Sequence, residues 1–276
     1  AGADAKSATE EEALAALRAG EADAALELAG GVPKLTLEGS DPAKSKAALL
    51  AIGGAFNTGP AAAAFPEPEY IHGSASSVPF DWFGPVLIGV FAFFFVFLIA
   101  GIAFLRERTG GTLERLLVSP MRRHEIVAGY VAGFGVFTLL QACLIAWFAV
   151  AILDMVIVGS FGFVLLITAV LALTALSLGV FLSTFAANEF QMIQFIPVVI
   201  VPQIFFCGLF PLETIHPSIR WISHLFPLTY GADALREVMV RGGGWKDIAF
   251  SVYVLLGFAL LFMTANGLAL RKYRKS

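Results

Sequence analysis

Apolar residues run almost without a break through five stretches of the chain, at about 84–105, 126–153, 158–183, 192–210 and 248–270. No Asp, Glu, Lys or Arg stands in the middle of any of them. A bilayer core needs about 20 mostly apolar residues in a helix. One charge at a helix centre would cost roughly 2.5–3.5 kcal/mol on insertion. The runs are continuous rather than alternating, which predicts helices and not barrel strands. The expected fold class is an all-α polytopic membrane protein with five spans behind a small α/β segment.

Residues 1–83 follow a different pattern. EEEALAALR at 10–18 favours a helix that stops at Gly20. The stretches 22–28 and 34–38 alternate weakly and read as short strands. Ser40 or Asp41 can cap a helix over 42–52 with Pro42 in its first turn. Residues 57–69 read as loop, and 70–83 lead to the membrane through Phe80, Trp82 and Phe83, rings suited to the interfacial belt. The predicted division is therefore 1–83 as an extracytoplasmic α/β segment and 84–276 as a transmembrane domain.

Charge adds an orientation. Residues 1–83 hold 12 of the 21 acidic groups and 5 of the 18 basic ones. The loop after the first run carries Arg106, Arg108, Arg115, Arg122 and Arg123, and the tail carries Arg271, Lys272, Arg274 and Lys275. With five spans these nine fall on one side. Arg220, Arg236, Arg241 and Lys246 fall on the other. Basic residues concentrate on the cytoplasmic side, so the C-terminus is expected there and residues 1–83 outside. An outside N-terminal segment needs an upstream translocation signal, so the sequence is expected to lack one earlier span.

Composition sets further bounds. The mean hydropathy is +0.81 and charged residues make up 14%, against about a quarter in an ordinary soluble domain. A net charge of −3 offers no general attraction for nucleic acid. Cys143 and Cys207 both fall inside apolar runs and read as small buried residues.

The sequence has no Gly-Lys pair, and hence no phosphate-binding loop of the GxxxxGK[ST] kind. His124-Glu125 lacks the second histidine of a zinc-protease motif, and His72, His124, His216 and His224 have no ligand spacing, so surface histidine is the default and no metal is expected. No catalytic residues are expected either. Gln141, Gln194, Gln203 and Asn266 are polar groups within the spans; interhelical hydrogen bonding is their default reading, with a substrate path as the alternative. Gly129 and Gly133 permit close helix approach, within the chain or between copies. Pro197 and Pro202 should kink the fourth span.

In RERTGGTLERLLVSPMRRHE, 106–125, Gly110-Gly111 should break the helix leaving the membrane. Thr112 can cap a short helix with Leu113, Leu116 and Leu117 on one face and Glu114 and Arg115 on another. Ser119-Pro120 can begin the next span. Physics alone reads the stretch as a positive anchor on the membrane surface.

The same stretch resembles the cytoplasmic coupling region of type-2 ATP-binding-cassette exporter permeases. The matching residues are Arg106, Glu107, Arg108, Gly111, Thr112, Leu113, Glu114, Leu116, Leu117, Ser119, Pro120, Glu125 and Ile126. FQMIQFIPVVIVPQIFFCGLFPLE at 190–213, PLTYGADALREVM at 227–239, FDWFGP at 80–85 and LEGSDPAKSKAALLA at 37–51 are also similar to the family, in the same order. The resemblance implies six spans per subunit and short outer helices over 211–246 that partly re-enter the membrane. It also implies a homo- or heterodimer of permeases, and a separate cytoplasmic ATPase that binds ATP and Mg while this chain binds no cofactor. Arg106, Glu107, Arg108, Thr112, Leu113, Glu114, Arg115, Leu116 and Leu117 would contact that ATPase, and the substrate would leave the cytoplasm or inner leaflet. A membrane scaffold or receptor whose outer segment binds a ligand is the alternative, and the spans' lack of carboxylates argues against an ion-coupled carrier or channel.

Overall fold

A computed structural model describes residues 5–28, 33–56, 67–72, 79–112, 123–155, 157–210 and 221–273. It divides into two compact units, Ala1–Trp82 and Phe83–Ser276.

In the first unit, helix α1 (Glu10–Arg18) opens with a capping box. The Glu12 backbone N–H donates to Thr9 Oγ1 at 3.4 Å, and the Thr9 N–H donates to the Glu12 carboxylate at 3.1 Å. Strand β1 (Ala24–Glu27) pairs antiparallel with β2 (Lys34–Leu37), Leu26 opposite Leu35. Helix α2 (Pro42–Phe56) follows. Asp41 is its cap, accepting from the Ala43 and Lys44 N–H groups at 2.8 and 3.3 Å. The neighbouring Ser40 instead donates its hydroxyl to the Glu38 carboxylate. One expectation is corrected here. Pro68–Tyr70, placed in loop and lead-in by the sequence pattern, is a third strand, β3, parallel to β2. Three residues beside prolines show no alternation, and a proline at the start of an edge strand removes no ladder bond.

The second unit carries the five predicted spans as helices α3 (Pro79–Thr109), α4 (Arg123–Ala151), α5 (Phe161–Ser183), α6 (Glu189–Phe206) and α8 (Trp245–Tyr273). A single 3-10 turn, Trp221–Leu225, and a shorter helix, α7 (Pro227–Met239), lie between α6 and α8. The protein is a multi-pass membrane protein. The spans are unequally embedded: 72% of the residues in the apolar window of α5 are buried inside the bundle and 56% in α3, but 22% in α4 and α8 and 17% in α6. So α5 is the centre, with α3 beside it.

Lipid is as apolar as leucine, so helices in a membrane associate through close packing and hydrogen bonds. Both are present at α5. A Cβ added at Gly179 would lie 2.5 Å from the Phe97 carbonyl oxygen of α3, so only glycine permits this crossing. Leu171 fills the space above Gly89 of α3 and Gly231 of α7. Thr174 Oγ1 lies 3.0 Å from the carbonyl oxygens of both Val170 and Leu255, sharing its proton with α8. Helix α7 is not a span, but most of its length is buried, Leu228, Ala232, Leu235 and Val238 being at most 1% exposed. Of the two cysteines Cys207 is buried, but Cys143 is exposed, which corrects the expectation for it. It sits on a weakly embedded helix whose outward apolar face includes Phe137, Leu140, Leu144 and Trp147.

Candidate coupling face

Helix α3 stays apolar and buried through Phe104 and Leu105, then presents Arg106, Glu107 and Arg108 before ending at Thr109, next to Gly110-Gly111. Residues two apart on a helix point to different sides, and the two arginines use this to bracket the connection between α5 and α6. Arg108 donates from both terminal nitrogens to the backbone carbonyls of Thr184 and Ala186. Thr184 is the C-cap of α5, so Arg108 satisfies carbonyls that the helix end leaves without an intrahelical donor, at the negative end of its dipole. Arg106 reaches the other end of the connection. Its Nε donates to Glu189 Oε1 at 2.7 Å and its Nη2 to Oε2 at 3.3 Å. Glu189 is the first residue of α6, where a negative charge is favoured by the dipole.

The connection is further closed by its own side chains. Asn188 caps α6 by accepting from the Gln191 N–H at 2.9 Å, and the Gln191 side chain accepts from the Ala187 N–H at 2.7 Å. Below it, Met192 of α6 is fully buried, its methyl group occupying the space that a Gly101 side chain would fill. The last two turns of α3 therefore hold the end of α5 and the start of α6 together.

The candidate residues divide accordingly. Arg106, Arg108 and Glu107 stand at this junction, and Thr112 is exposed just beyond it. Leu113, Glu114, Arg115, Leu116, Leu117 and the Ser119-Pro120 pair lie outside the described residues, as do Pro211 and Pro217. Gly129 and Gly133 lie on an open face of α4; an added Cβ at either meets nothing within 4 Å. Gln194 is exposed on α6. Gln141 and Asn266 each keep one buried polar atom, Nε2 and Oδ1, with no hydrogen-bond partner among the described residues. Gln203 is 2% exposed and works between helices. Its Oε1 accepts from the Leu228 N–H in the first turn of α7 at 3.4 Å, while its Nε2 donates to the Val199 carbonyl at 3.1 Å. Among the described residues no group of three or more His, Cys, Asp and Glu is placed to hold a metal ion.

The far end of the bundle is built differently. Arg236 of α7, one of the four basic residues expected on the outer side, is 9% exposed. It donates to the Gly208 carbonyl just past α6 and lies 3.5 Å from the Asp233 carboxylate. Gly208 has φ +80, and an added Cβ would meet the Arg236 guanidinium at 2.7 Å. The turn before α5 joins the same end, with the Val158 and Gly159 N–H groups donating to the Met239 and Val238 carbonyls. Trp147, Trp221 and Trp245 are all exposed here, as expected of an interfacial aromatic belt. Sequence reasoning missed the role of Arg236; its only signal was its position within the apolar pattern of 227–239.

The sequence profile of the ABC-2 type transporter family matches residues 49–240. The chain is 26% identical over 198 residues to the inner membrane transport permease YhhJ of Escherichia coli, covering 71% of this chain and 52% of that protein. It is 26% identical over 209 residues to ABC transporter G family member 20 of Dictyostelium discoideum, covering 75% of this chain and 29% of that one. A probable multidrug ABC transporter permease of Escherichia coli, YbhS, is 23% identical over 168 residues, covering 60% of this chain and 45% of its own length. The matched region thus spans about half the length of the permeases and under a third of the Dictyostelium protein. With a profile match across most of its length and five membrane-spanning helices, the chain belongs to the ABC-2 type transporter family.

Proposed function

We propose that this chain is the permease subunit of an ATP-driven exporter, and that the end of the bundle carrying Arg106 and Arg108 faces the cytoplasm and docks a separate ATPase. Two permeases form the transport unit. The ATPase binds ATP and Mg, and closure of its pair of subunits moves a substrate out of the cytoplasm or the inner leaflet. Family membership and relatives described as transport permeases support the transport role. The nine-to-four distribution of Lys and Arg supports the orientation.

The observation that carries the coupling assignment is the junction at the end of α3. The segment 106–125 begins in a helix whose final turns hold the end of α5 and the start of α6. A push on this segment would therefore reach three spans directly. Leu113, Leu116 and Leu117 supply apolar groups for a cleft on the ATPase, and Glu114 and Arg115 supply charges that set register.

The test is reconstitution of the protein with candidate ATPases. Glu114→Arg with Arg115→Glu, and separately Leu116→Ser with Leu117→Ser, should leave membrane insertion intact and abolish ATPase docking and ATP-dependent transport. Normal docking and transport in both variants would remove the coupling role and leave 106–125 as a membrane anchor.

A further inference from the structure

The geometry points to α6 as a hinged lever, fixed at each end to a different part of the bundle and bending between Ile193 and Pro202. At its start α6 belongs to the arginine junction, through the Arg106–Glu189 pair and the burial of Met192 against Gly101. At its end it belongs to α7, through an exchange of caps. Gln203 of α6 accepts from the Leu228 N–H at the start of α7, where Phe226 offers no side-chain cap. Thr229 of α7 donates its hydroxyl to the Phe206 carbonyl at 3.2 Å, and Arg236 donates to Gly208. The Phe206 and Phe226 rings stack at 5.6 Å. Each helix thus satisfies backbone groups that the other's terminus leaves open.

The stretch between these anchors is weak in its own hydrogen bonds. Pro197 and Pro202 both lie inside the helix, and neither has an N–H to give to the carbonyl four residues earlier, at Ile193 and Val198. Proline is the commonest cause of a sharp helix bend. Ile193 and Val198 are 47% and 69% exposed, so no other described helix of the same chain braces that side of α6. Helix α5 makes the contrast, with no proline and 72% of the residues in its apolar window buried. A helix gripped at both ends and depleted in the middle bends there when one end moves relative to the other. The α7 cap exchange then carries that bend to the tryptophan-rich end. The existence of the hinge requires α6 alone; its use in transport rests on the exporter reading above.

Two measurements separate these points. Spin labels at positions 190 and 205, both exposed on α6, are placed in the full chain with Cys143 and Cys207 replaced. The labelled protein is diluted with unlabelled protein in lipid vesicles, so that distances arise within one copy. Fifteen residues of straight helix span about 22 Å. Without nucleotide, the distance distribution should be broad in this background and should narrow to roughly half its width in Pro197→Ala with Pro202→Ala, centred near the straight-helix value. Equal widths in the two proteins would overturn the hinge, whatever the ATPase does. In the complex with an ATPase that this chain stimulates, trapping with a non-hydrolysable ATP analogue should shift the distance in the proline-containing protein and not in the variant. Stimulated ATP hydrolysis with no shift would overturn the lever while leaving the exporter reading in place. Failure of every ATPase to bind, with the narrowing still seen, would overturn the exporter reading and leave the hinge.

Discussion

Arg236 and Arg106 sit at opposite ends of the same bundle, and each holds a neighbouring segment. Arg236 has a side chain 11% exposed, with its guanidinium against the Gly208 carbonyl and beside Asp233. Arg106 has a side chain 69% exposed, paired with Glu189 at 49%. The Arg106 geometry is the better ion pair, with two parallel hydrogen bonds, yet water competes for both partners. Exposed pairs contribute about 0–1 kcal/mol. A hydrogen bond from a charged group that is largely withdrawn from water contributes about 1.5–3 kcal/mol. The difference indicates that Arg236 holds its end of the bundle together, whereas the Arg106–Glu189 pair aligns the start of α6 and adds little to stability.

Arg236→Ala should break the comparison most severely. It removes the donor to Gly208 and leaves a space beneath the end of α6, so stability should fall by about 2–3 kcal/mol, read as a lowered thermal midpoint in mild detergent. Arg236→Lys should recover part of the loss, because an ammonium supplies the charge without the planar fork. An unchanged midpoint for Arg236→Ala would show that the Arg236–Gly208 contact adds nothing to stability.

At the other end, Arg108 and Arg106 should separate from each other. Arg108 reaches two backbone carbonyls, so Arg108→Ala should cost about 1–2 kcal/mol. Arg106→Ala should cost less than about 1 kcal/mol. Exchanging the charges, as Arg106→Glu with Glu189→Arg, places each residue against the unfavourable end of a helix dipole, so recovery relative to Arg106→Glu alone should be partial. If Arg106→Ala destabilises the protein as much as Arg108→Ala, the exposed pair is not a mere alignment device.

Several elements were legible in the sequence for clear reasons. The five spans follow from continuous apolar runs, and α1 and α2 from helix formers with stop and cap residues in place. Asp41 and Ser40 were equivalent in sequence; the structure separates them because Ser40 is occupied by Glu38. The caps that connect elements were not legible. Arg108 and Thr184 are 76 residues apart, and Gln203 and Leu228 are 25 apart, so no local pattern pairs them. Arg236 counted only as one of the outer-side cations, because charge alone does not reveal that its guanidinium is folded into the bundle. Gln141, Gln194 and Gln203 looked equivalent in sequence, yet only the environment of Gln203 supplies a helix start to receive it.

The smallest expected effect lies in the first unit, where the same question can be asked of an exposed carboxylate. Glu12 is held below the ordinary carboxylate range, first by the Thr9 backbone N–H and then by the Thr9 hydroxyl, both of which favour the charged form. The sign follows from linkage: a carboxyl group whose pKa is lowered on folding stabilises the fold above its unfolded value of about 4.3. That contribution disappears as pH falls through the lowered folded value. Backbone amides in the first turn of α1 should therefore keep constant protection from neutral pH down to about pH 5 and lose it progressively below. Glu12→Gln keeps an acceptor for the Thr9 N–H but removes the titration, so it should flatten the acid limb while lowering protection slightly at neutral pH. Amide exchange of Thr9, Glu12 and Ala13, corrected for the intrinsic pH dependence of exchange, reads this directly. An identical acid limb in Glu12→Gln would leave the capping box as a hydrogen-bond arrangement whose charge does not matter. A flattened limb would show that even a fully hydrated carboxylate stabilises local structure when two hydrogen bonds fix its place. On that scale Arg106 and Glu189, also joined by two hydrogen bonds, should align the start of α6 without contributing much to the stability of the bundle.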